Sequence, residues 1–411
     1  MNQVRKTRVR TFYPADPVGI VPGGVDTFIR GLIKFAPEDI EFSLVGMTTD
    51  LRNRPIGRWT ACALGGRRFD FFPVVKMGDA GSRTRIPLSA RFTYGAARFA
   101  SACRGNFDVY EFHRVEPALL YLSDVRPKNM FFHQDMAVIK TESKADILWK
   151  WMPGIYFAIE RRIAHSLASA WCVHEQGAAS LRKRYSFLAE HIRFVPTWVD
   201  VDVFYPLPVD RRAATRSSLE QELQLVAGGF RMISVGRLDS QKDPHLLLSA
   251  AIRLASQVQG MELLLVGDGV MRRELEVRVA SAGLGSRIRF VGLKSAAEIT
   301  RLLHASDCFV LSSAYEGMPM ALLEALGAGI PVVSTPVGEV KRVVIDSVNG
   351  VVARDCSEDA LVEAILKVAR REGDFSTVEC VRSIERYVPA IVLEPVYENY
   401  RSLGRLRHDR A

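Results

Sequence analysis

Apolar residues in this chain gather in short runs, and the stretches between the runs carry the three-to-four-residue spacing of amphipathic helices. In the first half the runs predict strands at 8–13, 42–47, 69–75, 109–112, 130–133, 170–173 and 192–196. In the second half they predict strands at 231–235, 262–266, 288–291, 308–311, 330–334 and 350–353. Strands that alternate with helices imply α/β architecture with parallel sheets. The stretch 207–230 is polar and proline-bearing at its start, and Gly228-Gly229 stands just before a new strand. That places a boundary near residue 205 and predicts two doubly wound domains, 1–205 and 206–385, followed by a terminal helical piece over 386–411. The sequence holds no low-complexity tract and no short-period repeat.

Composition supports two cores: 411 residues, 48% hydrophobic and 25% charged, fill two domains of at most about 200 residues each. No run of about 18 uncharged apolar residues occurs, so no spanning helix is expected. MNQVRKTRVRTFYPA lacks the apolar centre of a secretory signal, which predicts a cytosolic chain. Six cysteines stand singly without a C-x-x-C pair, the pattern of reduced core thiols. Charge is uneven. Residues 1–205 hold 29 Lys+Arg against 20 Asp+Glu, so the whole net charge of +9 belongs to the first half. Within it, 82–104 mixes Arg83, Arg85, Arg91, Arg98 and Arg104 with Ile86, Leu88, Phe92, Tyr94 and Phe99, the pattern either of a basic amphipathic segment that meets a membrane or lipid-linked acceptor or of an ordinary solvated helix face. No nucleic-acid motif or basic-aromatic repeat accompanies the charge, so nucleic acid is not an expected partner.

The most informative stretch is 312–338, SSAYEGMPMALLEALGAGIPVVSTPVG. Pro319 suits a first helical turn, Met320–Leu326 are mostly strong helix formers, and Gly327 and Gly329 end the run. The helix is expected to start just after Glu316, with the unpaired N–H groups of 318–321 and the positive dipole end forming a seat for a diphosphate. Gly317 allows close backbone approach. Glu316 is placed to accept from sugar hydroxyls, and Glu324, about 7 Å further along the axis, suits a ribose. A pair of glutamates at this spacing alone describes a solvated helix face. The apolar runs on either side change that, because they put the loop at the carboxyl end of a parallel strand, where open α/β sheets bind ligands. V-G-R-L-D-S-Q-K-D-P at 235–244 supplies two cations after another strand, Arg237 and Lys242, suited to a diphosphate leaving group and able to take the part of a metal ion.

These residues carry a resemblance to the retaining glycosyltransferases of the large family four: the family's E-x-x-x-x-x-x-x-E signature matches Glu316 to Glu324, and Arg237 and Lys242 match its diphosphate-holding positions. The resemblance is specific in the C-terminal half. It implies the GT-B fold, two Rossmann-like domains facing across a cleft, with 1–205 binding the acceptor, 206–385 the nucleotide sugar, and the terminal helix returning to the first domain. It implies donor contacts from Gly23 and Gly24 in P-G-G-V-D, from Gly317, Met318, Met320 and Ala321, and from the backbone at Val291 in R-F-V-G. L-L-V-G-D-G at 264–269 is a strand and Gly-rich turn without the third glycine and acidic residue of a dinucleotide fingerprint, so no NAD is expected.

His113 and His133 end successive first-domain strands and are candidates for a hydrogen bond to the transferred sugar and for acceptor contact, respectively, with Asp135 beside the second. Departures from the family pattern are Thr197 and Trp198 in place of an Asn-Gly pair, which makes Trp198 an acceptor-shaping candidate, and G-E-V-K-R-V-V at 338–344, where a second glycine is absent and Arg342 replaces a glutamate. Asp200-Val201-Asp202 imitates a metal-binding D-x-D outside its usual setting, and no metal or other cofactor is expected. The expected function is transfer of a hexose from a UDP- or GDP-linked sugar to a glycan or lipid-linked acceptor of cell-surface polysaccharide, at the inner face of the membrane. A nucleotide-sugar epimerase on the same fold and a non-catalytic partner in glycan assembly are the alternatives.

Overall fold

A parallel sheet covered on both faces needs apolar side chains on both sides of every strand, so its strands read as continuous apolar runs. That is the pattern of the central strands of this protein. The structure, a computed structural model, describes residues 5–19, 24–77, 86–133 and 152–408. Gly23, Arg83, Arg85 and Asp135 lie outside the described residues. The chain divides into two compact units, Met1–Pro196 with Pro389–Ala411, and Thr197–Val388. The first boundary thus falls before the expected 205, and the chain from Pro389 onward belongs to the first unit.

The first unit is built on eight strands: β1 (Thr7–Phe12), β2 (Ile40–Thr48), β3 (Thr60–Leu64), β4 (Arg67–Lys76), β5 (Val109–Phe112), β6 (Lys128–Phe132), β7 (Ser169–Cys172) and β8 (Ile192–Phe194). They lie in the order β3-β4-β2-β1-β5-β6-β7-β8, all parallel except the β3–β4 pair. β3 is absent from the sequence reading. It is an edge strand with half-exposed alternation, joined to β4 through Gly65-Gly66, both at positive φ (52° and 82°), as a type I′ hairpin turn requires. The helix Glu394–His408 packs within this unit: Tyr397 donates from its hydroxyl to the Leu32 carbonyl at 3.0 Å.

The second unit carries β9 (Arg231–Val235), β10 (Glu262–Val266), β11 (Ile288–Gly292), β12 (Cys308–Leu311), β13 (Val332–Ser334) and β14 (Gly350–Val352), an all-parallel sheet ordered β11-β10-β9-β12-β13-β14. Alternate residues feed two cores. Ile233, Leu264, Val266, Phe309 and Leu311 pack on one face, and Met232, Leu263, Leu265, Cys308 and Val310 on the other. Strand order reverses between β9 and β12 in this unit and between β1 and β5 in the first. Such reversals open a crevice at the carboxyl ends, which makes the loops after β9, β12, β1 and β5 the places to look for ligand chemistry. No helix among the described residues is long and apolar enough to cross a membrane.

Candidate functional site

The loop after β9 is held in shape by its own side chains. Asp239 accepts the Lys242 amide at 3.2 Å and pairs with Arg237 at 2.8 Å, while Arg237 also donates to Gln241 at 2.9 Å. Asp243, in a left-handed conformation, caps the helix Pro244–Leu254 by accepting from the Leu246 amide. Two glycines of G-D-G brace this loop from β10. A Cβ on Gly267, whose φ is +130°, would sit 1.9 Å from the Gly236 carbonyl oxygen, and one on Gly269 would sit 2.4 Å from that of Leu238. The glycines are there for close backbone packing.

The loop after β12 is stitched to it. Ser312 donates to the Lys242 and Asp243 carbonyls at 2.9 and 3.1 Å, and the Ala314 amide donates to the Gln241 carbonyl at 2.9 Å. Glu316 then meets Lys242 directly, Oε1 to Nζ at 2.6 Å, and accepts from Ser313 Oγ at 2.7 Å. A small depression open to solvent is lined by Ser234, Gly236, Arg237, Lys242 and Ser313 among others. The helix begins at Met320 rather than just after Glu316, with Pro319 at its cap position and no side chain capping it. Gly317 and Met318 precede it because their carbonyls are committed elsewhere, to the Glu339 amide at 2.9 Å and the Thr197 hydroxyl at 3.2 Å. Met318 is buried. Of the expected 318–321 seat, Met320 and Ala321 therefore stand in the first helical turn. Their amides, uncapped by side chains, together with the dipole, favour an anion.

Glu324 sits one turn deeper. Burial pushes its carboxyl up to about 7, with Lys242 opposing and Asp200 adding to the rise. Asp200 was singled out in sequence only as half of a D-x-D pair. Its oxygen accepts the Asp202 amide at 3.3 Å, and among the described residues no group of three or more His, Cys, Asp or Glu is placed to hold a metal ion. Ser313 is the other residue that sequence reasoning missed; its signal was a Ser pair directly after an apolar strand. Val291 falls at a register shift in the β10–β11 ladder, where Leu265 pairs with Phe290 and Val266 with Gly292. Val291 is thereby without a partner in that register, as at a β-bulge.

Among the first-unit candidates, His113 departs from expectation. Gly24 opens the helix Gly24–Lys34, and a Cβ there would meet nothing within 4 Å, so packing does not demand its glycine. The His113 side chain is wholly buried: Nδ1 lies 2.8 Å from His133 Nε2 and Nε2 lies 3.0 Å from Glu111 Oε1. Both ring nitrogens are occupied, which leaves none for a sugar. His133 is half-buried at the end of β6. Trp198, which falls in the second unit and is 1% exposed, is a packing residue instead of an acceptor contact.

Residues 216–378 match the family model described as glycosyl transferases group 1. Over that region the chain is similar to the glycosyl transferases group 1 family. The matched region contains every second-unit site residue named above except Thr197, Trp198, Asp200 and Asp202. Similar proteins include the amylovoran biosynthesis glycosyltransferase AmsK of Erwinia amylovora, 30% identical over 183 residues, covering 42% of this chain and 45% of the relative. Another is the UDP-Gal:alpha-D-GlcNAc-diphosphoundecaprenol alpha-1,3-galactosyltransferase of Escherichia coli, 27% identical over 201 residues, covering 48% and 50%. The match thus spans about half the length of these curated relatives. Among solved structures, the sucrose-phosphate synthase of Thermosynechococcus elongatus superposes with a TM-score of 0.78 at 18% identity, covering 99% of this chain and 100% of that one. HepE of Anabaena in complex with UDP-glucose gives 0.70 at 16% identity, covering 96% and 99%. At such identities the likeness is one of fold, and the fold is GT-B.

Proposed function

We propose that this protein is a retaining glycosyltransferase that moves a hexose from a UDP- or GDP-linked sugar to a glycan or lipid-linked acceptor in cell-surface polysaccharide biosynthesis. One observation carries the reading: at the switch point of the second-unit sheet, Arg237, Lys242, Glu316 and Glu324 gather around a helix start that no side chain caps. The names of the relatives support it, since AmsK is named for amylovoran biosynthesis and the Escherichia coli enzyme for transfer from UDP-Gal to a diphosphoundecaprenol-linked sugar. HepE, of the same fold, holds UDP-glucose.

In this reading the diphosphate lies on the Met320 and Ala321 amides and is neutralised by Arg237 and Lys242. Breaking the anomeric bond throws charge onto the leaving phosphate, where fixed cations and a helix end stabilise the transition state more than the ground state. Glu316, released from Lys242 as the phosphate takes the ammonium, accepts from the sugar hydroxyls, and Glu324 holds the ribose. An oxygen of the departing phosphate accepts the acceptor's proton on the face the leaving group vacates, which retains the anomeric configuration. With two side-chain cations on the phosphate, no metal is required. The excess of basic residues in the first half supports a position at an acidic membrane surface on the cytoplasmic side. There, Ile86, Leu88 and Tyr94 are exposed beside Arg98.

Acceptor-dependent release of nucleoside diphosphate tests the reading, after a thermal-shift screen of nucleotide sugars selects the donor. Release that needs acceptor and yields the retained anomer is the expected result. Isomerisation of the donor without acceptor would identify an epimerase instead.

A further inference from the structure

Behind the carboxyl ends of β5 and β6 runs a buried chain of hydrogen bonds that the mechanism above leaves unused. Glu111, inside β5, is fully buried in a strand whose other residues are apolar or aromatic. Its Oε1 accepts from Thr11 Oγ1 at 2.9 Å and lies 3.0 Å from His113 Nε2. Its Oε2 meets the hydroxyl of Tyr400, from the terminal helix. His113 Nδ1 lies 2.8 Å from His133 Nε2, and His133 is the member that reaches partial exposure. Aromatic rings hold the imidazoles in place: Phe131 stacks on His113 with centroids 4.9 Å apart, and Phe28 meets His133 edge-on at 5.1 Å.

We propose that Glu111 and His113 are positioning residues that decide whether the outer ring nitrogen of His133, Nδ1, accepts or donates a hydrogen bond toward a hydroxyl-bearing ligand of the first unit. The proposal rests on the reading that this unit receives a sugar or polyol acceptor. The two states follow from counting protons. With Glu111 ionised, His113 donates Nε2–H to it and accepts at Nδ1 from His133 Nε2–H, so His133 Nδ1 carries a lone pair. With Glu111 protonated, its O–H donates to His113 Nε2, His113 Nδ1–H donates to His133 Nε2, and His133 Nδ1 carries the hydrogen. One proton separates the states, and each ring stays neutral in both.

The surroundings favour such a switch. Burial pushes the Glu111 carboxyl up to about 8, opposed by the Thr11 hydroxyl. Burial pushes His113 down to about 3 and His133 well below its ordinary value, the latter with help from His113, Arg114 and His174. Among the described residues, Tyr397, pushed up by burial and then by Glu111, faces the carboxyl besides Tyr400. Of Glu111, His113 and His133, it is therefore the carboxyl that titrates at mildly alkaline pH.

The test is nitrogen-15 histidine NMR of the full chain from about pH 6 to about pH 10, with assignment by His113→Gln and His133→Gln. The expected result is a His133 Nδ1 signal that passes from protonated to unprotonated with a midpoint near the Glu111 value of about 8 and does not move in Glu111→Gln. Tyr400→Phe, which removes one donor from the carboxylate, shifts the midpoint upward. A wild-type His133 that keeps one tautomer through the whole range overturns the proposal, as does a switch that persists in Glu111→Gln. The readout needs neither donor nor acceptor, so it succeeds or fails independently of the transfer assay.

Discussion

Lys242 and Glu316 satisfy each other at 2.6 Å. In the proposed reading, a donor exchanges that bond for two others, phosphate on the ammonium and hydroxyl on the carboxylate. Lys242→Ala removes a cation that acts on the developing phosphate charge, and kcat/KM is expected to fall on the order of 10²–10³-fold while circular dichroism stays unchanged. Glu316→Gln keeps the shape and loses the charge, so a large fall in turnover is expected; unchanged turnover in either variant contradicts the assignment. Glu324 offers a test without substrate. Its carboxyl titrates at about 7 in the fold against 4.5 ordinarily, so between those values the unfolded chain releases a proton that the folded protein keeps. Stability therefore declines as pH rises through that window and levels off above it. Glu324→Gln abolishes that share of the slope, a relative gain on the order of 1–3 kcal/mol across the window, read from urea midpoints at each pH. At this scale the sequence made Arg237, Lys242, Glu316 and Glu324 visible through strand-end position. It could not show that His113 is sealed by Glu111 and His133, because burial depends on which strands become neighbours. A carboxylate alternating with a histidine in D-V-Y-E-F-H was the signal available.

At the scale of elements, the site depends on backbone approaches that only glycine allows. Gly338 has φ +52°, and a Cβ there would lie 2.1 Å from the Gly317 carbonyl oxygen, the acceptor that fixes the turn before the helix Met320–Gly327. Gly338→Ala is therefore expected to displace the Glu316-Gly317 turn, costing about 1–3 kcal/mol and raising the donor KM; an unchanged melting temperature and KM would show the turn to be held by something else. The strands of the central sheets were legible because burial on both faces leaves a continuous apolar signature. β3 was not, since an edge strand with alternating exposure looks like loop until its Gly-Gly turn is weighed. The helix start was placed a few residues early for a related reason: propensity marks where a helix can form, and the bonds from Thr197 and Glu339 that keep Met318 and Gly317 outside it are tertiary.

For the whole molecule, charge separates the two halves, and the excess lies in the one that also exposes Ile86, Leu88 and Tyr94. Sedimentation with vesicles containing acidic lipid is expected to capture the protein at low salt and release it as salt rises, because exposed charges are screened over about 8–10 Å at physiological ionic strength. Binding that is absent, or indifferent to salt, contradicts the membrane reading. Two α/β domains were readable from the alternation of strands and helices, whereas the unit boundary at Pro196 was not, because Thr197 and Val199 are drawn into the second unit by bonds to Met318 and Tyr387. The central claim is that an uncapped helix start, two cations and a glutamate in the second unit hold the activated sugar. A crystal structure with the selected nucleotide sugar tests it most directly: the account predicts the diphosphate on the Met320 and Ala321 amides within reach of Arg237 and Lys242, and a diphosphate bound away from that helix start would contradict it.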